Sequence, residues 1–577
     1  MDISRASQHN INHELSGDLN FDILFHVMHE LHSRPYRDLL SLMKTCKTLY
    51  HYGIPLLLSI PIDFAAFLDS NQLRFLQSLR IYLEKHPSRL QFIEDVTLPN
   101  AWGRDPKMYH CGVHVFKMLF VGCHNLKKLE YEAIETYRDD KRYPRRRLLP
   151  MGHTFNHLQS LTITRLGPDT CQMLKSLKAP IVYLSLCYDY DFSAFRASDD
   201  FYPKNPVPLL VNFLTTLEEL TLYWCQWDDR WEERNKPLSQ IRCLKVHTLK
   251  TNNDSCPDTA TLMYVFPNLK HLQVQNESGV TFHEENVESQ AALAPNYHWQ
   301  NLETVSADIN SLYNLALSIK VNQLDTDCGP TTFLYLYQVL KQTKPTLLKL
   351  HIGDPNPIFD SDMDKAREML HYEELSRLWL KITLFGVVRG YKVILTNEMV
   401  SKAIDRTIEL LRGISLQYLC LSIEWIPPAP IDKSQKVPVE NPEEDEGNDQ
   451  LDLSVLERTN SHDSLGSHAY EGPEAHSEPH LTVWFSPPDP IRDYLEAIHD
   501  SITERLLHAI SSVNYLSTDL CPYRYSCDGP YNCVNSLKVT VDTTTGDTTT
   551  TKRSENIERR QFEALFYDFE GPRAHLY

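Results

Sequence analysis

The chain has 577 residues, 42% of them hydrophobic and 10% aromatic, which is enough apolar side chain for a sizeable core and excludes disorder as a description of the whole. Its net charge of −19, from 76 acidic against 57 basic residues, works against docking onto a phosphate backbone, where each contact needs a cation. Nucleic acid is therefore not an expected partner, and neither is a membrane: the opening MDISRASQHNINHELSGDL lacks a secretory pattern, and no stretch reaches the ~18 uninterrupted apolar residues of a span. A cytoplasmic or nuclear location is the expectation. The thirteen cysteines are odd in number and scattered, and Cys187, Cys225, Cys243 and Cys420 sit inside apolar strand patterns, where a free thiol acts as a small hydrophobe.

Residues 1–18 read as a flexible N-terminus. From Leu19 the sequence LNFDILFHVMHEL places Leu24, Val27, Met28 and Leu31 at the spacing of one helix face, with Asp18 or Asn20 as cap and Asp22 in the first turn. After a break at His32 to Tyr36, the run RDLLSLMKTCKTLYHYGIPLLL carries too many apolar positions for one stripe and predicts two short helices, ended by Gly53 and Pro55. Three helices in about forty residues form a core too small to be comfortable alone, so the unit calls for a partner.

These residues resemble the F-box family. Its helix-opening pattern stands here as Leu19, Asn20, Phe21, Asp22, Ile23 and Leu24, with Asn20 where the family usually has proline. Its second signature stands as Asp38 to Leu42, followed by Cys46, Lys47, Thr48, Leu49 and Tyr50. The resemblance covers about forty residues, taken as a unit over 19–60. It implies contact with a Skp-family adaptor and, through it, a cullin. Leu19, Asn20, Ile23, Leu24, Val27, Leu39, Leu42, Cys46, Leu49 and Tyr50 are the candidates for that contact or for its supporting core.

Residues 61–110 read as a helical linker and cap, from Phe64, Phe67, Leu68, Leu73, Leu76, Leu79 and Leu83. Over 111–426 one pattern recurs: apolar, two residues, apolar, one residue, apolar. It occurs as LKKLEY from Leu126, LQSLTI from Leu158, IVYLSL from Ile181, LEELTL from Leu217, IRCLKV from Ile241 and LKHLQV from Leu269. Weaker copies start at Leu302 and Val321, and clearer ones at Leu347, Leu416 and Val534. The first six start 32, 23, 36, 24 and 28 residues apart, overlapping the period of leucine-rich repeats. In such a unit the alternating apolar residues face the core and the residue between them faces the other way. Lys128, Thr162, Thr221, Lys245 and Gln273 are the expected outward positions. Helix-compatible segments such as Val113 to Cys123 and Thr332 to Leu340 lie between copies, several closed by Pro-Asn or His-Asn. From Asp364 to Val387 the pattern reads as helical, without a clear repeat.

Residues 427–480, centred on ENPEEDEGNDQ and poor in large apolar residues, read as a disordered acidic insertion with candidate phosphorylation sites at Ser461, Ser464 and Ser467. Residues 481–577 then supply a helix from about Ile491 to Ile510 and C-terminal repeats with a cap. Arg138 to Arg147 is a basic run with two tyrosines, read as a solvated loop.

No phosphate-binding glycine loop, GxSxG elbow or HExxH helix is present, so the expectation is a non-enzyme without cofactor. Cys521, Cys527 and Cys533 are spaced more widely than a usual zinc set, and no metal is expected there. The sequence as a whole predicts an α/β protein: an N-terminal helical F-box followed by a leucine-rich repeat horseshoe with a disordered insertion. The expected function is substrate recognition in a Skp-cullin-F-box ubiquitin ligase, with the repeats binding a protein target whose identity is open. The alternative is a repeat scaffold without a ligase role. Trp224 and Trp227, in YWCQWDDRW, are the candidate target-binding residues, because aromatics at a loop rim often anchor interfaces.

Overall fold

The computed structural model describes residues 21–32, 36–63, 69–98, 106–132, 155–188, 205–225, 241–253, 259–276, 299–300, 302–329, 332–353, 363–384, 387–389, 392–425, 490–510, 512–513, 515–522, 537–542 and 547–552. The basic run at 138–147 and the acidic insertion at 427–480 lie outside them, as do Leu19, Asn20 and Trp227.

Helix α1 spans Phe21–His32, α2 Tyr36–Met43 and α3 Lys47–Ser59. The expected stop at Gly53 and Pro55 does not occur, and α3 runs through both. A Cβ on Gly53 would stand 2.4 Å from Met43 Cγ and 2.5 Å from Met28 Cε, so glycine here lets three helices meet, and packing outweighs its helix-weakening tendency.

The helical reading of 61–110 is only partly right. Helix α4 (Asp69–Lys85) and α5 (Pro106–Gly122) are present, but strands β1 (Ile62–Asp63) and β2 (Asp95–Thr97) lie in the same stretch. Sheet and helices therefore begin together, well before residue 111. Ile93, Val96 and Leu98 form a full copy of the repeat pattern, all three buried.

From there the strands follow as β3 (Lys128–Glu132), β4 (Ser160–Leu166), β5 (Tyr183–Tyr188), β6 (Glu219–Cys225), β7 (Thr248–Asn253) and β8 (His271–Asn276). Next come β9 (Thr304–Ala307), β10 (Gln323–Cys328), β11 (Leu347–Gly353) and β12 (Arg377–Leu384). A separate antiparallel hairpin, β13 (Val387–Arg389) and β14 (Lys392–Ile394), precedes β15 (Tyr418–Trp425), β16 (Tyr515–Pro522), β17 (Leu537–Asp542) and β18 (Asp547–Lys552). Apart from that hairpin, all the described strands join one sixteen-stranded sheet whose spatial order is the chain order. Every pairing up to β16 is parallel, which makes fourteen parallel strands, and the last two are antiparallel.

Helices α6 (Pro168–Ser176), α7 (Thr259–Val265), α8 (Ile309–Leu315), α9 (Phe333–Thr343), α10 (Met363–Leu370), α11 (Asn397–Leu411) and α12 (Pro490–Ala509) supply crossovers between neighbouring strands. Parallel neighbours need such crossovers, because their ends lie at opposite edges. The side chains of Asp308 and Thr396 cap α8 and α11 by accepting from Ser311 N and Met399 N.

The register explains the repeat. Leu129, Leu161, Leu184, Leu220, Leu249, Leu272, Val305, Leu324, Leu348, Leu378, Leu419 and Leu516 lie side by side across twelve strands, all buried. Each buried leucine contributes about 1.5–3 kcal/mol, and each gains it only against its neighbours in the row. A second row is made of backbone. In eleven successive steps, from Glu94 to Ser376, one carbonyl just before a strand accepts from two consecutive amides of the next strand's entry, as Lys127 O does from Gln159 and Ser160. Asn125 and Asn268, of the His-Asn and Pro-Asn closures, donate side-chain amides to Gln91 O and Leu244 O and so tie each entry to the turn before it.

This ladder corrects three frames. The copy expected at Ile241 is Val246, Leu249 and Thr251: Leu244 is 53% exposed, and the outward lysine is Lys250, not Lys245. The copy expected at Leu347 is two residues out, since Leu348 and Leu350 occupy the row positions and Leu347 faces the other side. The copy expected at Val534 is a different element, because β17 pairs antiparallel. A missed copy, Leu375, Leu378 and Leu380, fills the stretch read as helical from Asp364 to Val387, where α10 is one short helix followed by β12.

Candidate functional site

The N-terminal residues singled out from sequence divide into two groups. Leu39 and Leu49 are fully buried, and Leu24, Leu42 and Cys46 are half-buried against the same core, so these five hold the helices together. Ile23 is 61% exposed and Val27 38%, one turn apart on α1, which gives the helix an apolar strip on its outer side. Phe25 on the inner side stacks on Tyr52 of α3 with centroids 3.8 Å apart, and His29 Nε2 lies 3.0 Å from the Tyr52 hydroxyl. Tyr50 is exposed but does not join Ile23 and Val27. Two residues along α3 is a turn of about 200°, which places Tyr50 on the side of α3 opposite Tyr52, the residue that stacks on α1.

The second candidate region is the sheet face opposite the leucine row. Its rows read Lys128, Ser160, Tyr183, Glu219, Thr248, His271, Thr304, Gln323, Leu347, Arg377 and Tyr418 in register, and Glu130, Thr162, Ser185, Thr221, Lys250, Gln273, Ser306, Asp325, Lys349, Trp379 and Cys420 in the next. The residue types are mixed along most of it. On β11, β12 and β15, Leu347, Trp379, Tyr418 and Cys420 form an apolar cluster separate from the main core, with Leu347 and Cys420 buried.

Cations frame that cluster. The Arg377 guanidinium lies 5.2 Å from the Tyr418 ring centroid and the Lys349 ammonium 5.5 Å from that of Trp379, within cation–π range. Lys349 is aligned with Asp325 on β10, and Lys381 is 2.9 Å from Glu424 on β15. Among the described residues Arg377 forms no ion pair. His351 bonds the Thr383 hydroxyl at 2.8 Å, and burial, with Lys381 adding to it, pushes its imidazole down to about 4. Asp327, aligned with His351, has its carboxyl raised by burial and by Asp308 nearby.

Trp224 is the next-to-last residue of β6. It is half-buried against the core at the bulge ending β6, with φ of 59°. Arg165 takes φ of 53° at the corresponding bulge of β4 and pairs with the buried Glu132 at 2.8 Å. Both irregularities turn the next residue, Cys225 or Leu166, into the core. Cys521 lies on β16 aligned with Glu424, while Cys527 and Cys533 lie outside the described residues. Burial pushes the thiols of Cys123, Cys243 and Cys328 up to about 12, which keeps them protonated and unreactive.

The signal for the β11–β15 region was present in the sequence. Between Glu374 and Glu398 the chain carries Arg377, Lys381, Arg389 and Lys392 and no acid, against the grain of a net charge of −19. The helical reading of that stretch hid it.

No protein-family model matches the chain, and no curated protein sequence matches it significantly. Among the described residues no helix is long and apolar enough to cross a membrane.

Proposed function

We propose that the chain is the substrate-recognition subunit of a Skp-cullin-F-box ubiquitin ligase, in which α1 to α3 bind the Skp-family adaptor and the repeat sheet binds a target protein. The observation that carries this reading is the exposed Ile23 and Val27 strip on α1, held outward by a three-helix core that closes around Gly53. A small helical unit with an exposed apolar strip gains stability from a partner helix packed on it. The leucine row behind it supports a horseshoe of leucine-rich repeats, whose opposite face offers side chains to a target.

Catalysis in this role is positional. Holding a target near a charged ubiquitin carrier raises its effective concentration without a reacting group on this chain. The second reading, a repeat scaffold with no ligase role, is favoured by Asn20, which stands where the family has proline. Co-expression with a tagged Skp-family adaptor separates the two. Wild type is retained on the adaptor, Ile23→Asp is lost, and Ile81→Asp, an exposed position on α4, is retained; a folded wild type that never co-purifies leaves the scaffold.

A further inference from the structure

We propose that α12 is a latch over β16, the last parallel strand, and that mild acid releases it by placing a proton on His499. The device is independent of the adaptor reading.

Connectivity sets α12 apart. Each helix from α6 to α11 begins 2 to 13 residues after the preceding strand of the main sheet, whereas α12 begins 65 residues after Trp425, the end of β15. The other crossover helices are thus tied closely to the strand before them. The close tie of α12 is to β16, which starts six residues after Ala509, so α12 can leave the sheet without displacing β15. Its polar contacts with the preceding repeat lie in its last turns, where Arg505 Nη2 is 2.6 Å from Asp405 Oδ1 on α11 and Gly413 N donates to Ala509 O at 3.0 Å. The ion pair is about half exposed and adds little.

Under α12 the core changes character. Thr518 on β16 is aligned with Leu421, Leu380 and Leu350, so a hydroxyl stands where the three preceding strands of the sheet have leucine. Three α12 and β16 side chains form a buried chain there. Thr503 Oγ1 donates to His499 O at 3.1 Å and lies 3.3 Å from Thr518 Oγ1, which is 2.9 Å from His499 Nε2. Each hydroxyl has one hydrogen. That of Thr503 goes to the carbonyl, so Thr518 donates to Thr503 and accepts from Nε2–H, which leaves Nδ1 as the bare nitrogen. His499 is 1% exposed, and its Nδ1 has no hydrogen-bond partner. A proton arriving in acid therefore goes to Nδ1 and creates a buried cation whose new N–H meets no acceptor.

Neighbouring charges do not rescue it. Asp500, next along α12, favours the charged ring, but burial outweighs it and lowers the imidazole. Asp493, Glu504 and His508 of α12 are exposed, as is Glu398 of α11. Also on α11, Asp405 is held by Arg505 and Glu409 by Arg367 and Arg412, while Lys402 and Arg406 are cations; Glu424 of β15 is held by Lys381. With α12 released the ring returns to about 6.5, so the open form binds the extra proton and gains population as pH falls below that value. Release exposes Leu495, Ile502 and Leu506, all buried when α12 is docked.

Amide hydrogen exchange of the full chain at pH 7 and pH 5, corrected for the intrinsic rate of each amide, tests this. Between the two pH values α12 of the wild type should lose roughly tenfold more protection than β5 does. In His499→Leu that excess disappears, and His499→Gln, which does not titrate, serves if the leucine variant fails to protect β5. Arg505→Ala lowers protection of α12 by the same factor at both pH values and keeps the excess. An excess that persists in both His499 variants, one that vanishes in Arg505→Ala, or an equal loss in α12 and β5 of the wild type overturns the proposal.

Discussion

A Cβ on Gly53 would lie 2.4 Å from Met43 Cγ, closer than real Cβ atoms come to any neighbour, so the junction of α2 and α3 depends on the absence of a side chain. Met28 Cε, at 2.5 Å, closes the same space from α1. Gly53→Ala is expected to destabilise the chain by about 1–3 kcal/mol through overpacking, although alanine is the better helix former by nearly 1 kcal/mol. Urea denaturation followed by tyrosine and tryptophan fluorescence measures it. An unchanged or raised midpoint contradicts the packing described for the three helices.

The corrected frame at β7 makes a paired prediction. Leu249 lies in the buried row, and its truncation to alanine is expected to cost about 2–5 kcal/mol. Leu244, the position that the apolar pattern itself favoured, is 53% exposed, and Leu244→Ala should stay within about 0.5 kcal/mol of wild type. A reversed order of the two in chemical denaturation restores the original frame.

Acid sensitivity follows from His351. Its imidazole is pushed down to about 4 in the folded chain, against about 6.5 when unfolded, so between these values the unfolded chain binds the extra proton. Its contribution is complete above pH 6.5, declines as pH falls through that window, and falls no further below about 4. Burial lowers His271 and His499 as well, while the raised carboxyls of Asp95, Glu130 and Asp327 act in the opposite sense. The quantity to measure is therefore the difference between wild type and His351→Gln in urea midpoint at pH 7 and pH 4.5. Glutamine does not titrate, and the variant is expected to lose less stability over that interval; parallel losses in the two proteins contradict this origin.

Much of the fold was legible in the sequence because the repeat chemistry is local. Apolar residues at fixed spacing identified the entries at Leu126, Leu158, Ile181, Leu217, Leu269, Leu302, Val321 and Leu416, the Val321 copy with Thr326 in its third position, and all eight stand in the ladder. The errors have specific causes. Thr251 occupies a row position that is usually apolar, and the nearby Ile241, Leu244 and Val246 offered a false copy with three apolar residues in its place. At Leu375 the acidic, helix-forming stretch of α10 runs almost directly into β12, so periodicity alone extended the helix across a strand. Gly53 and Pro55 are local breakers overruled by tertiary packing.

The site was less legible, because exposure depends on contacts made far along the chain. Spacing grouped Ile23, Leu24 and Val27 with Leu39 and Leu49, but only the packed helices separate the exposed pair from the core residues. The placement of Tyr50 opposite Tyr52 on α3 and the alignment of Arg377 with Tyr418 are likewise products of three-dimensional placement.

Calorimetric titration of a purified Skp-family adaptor into the full chain tests most directly the proposal that the exposed strip on α1 receives the adaptor. Wild type should give a saturable isotherm with one adaptor per chain. The double variant Ile23→Asp, Val27→Asp should lose affinity by roughly a hundredfold, as expected when two buried apolar anchors are replaced by carboxylates, while Leu334→Asp, exposed on α9, titrates as wild type does. Indistinguishable isotherms for wild type and the double variant, or no heat of binding from a folded wild type, contradict it.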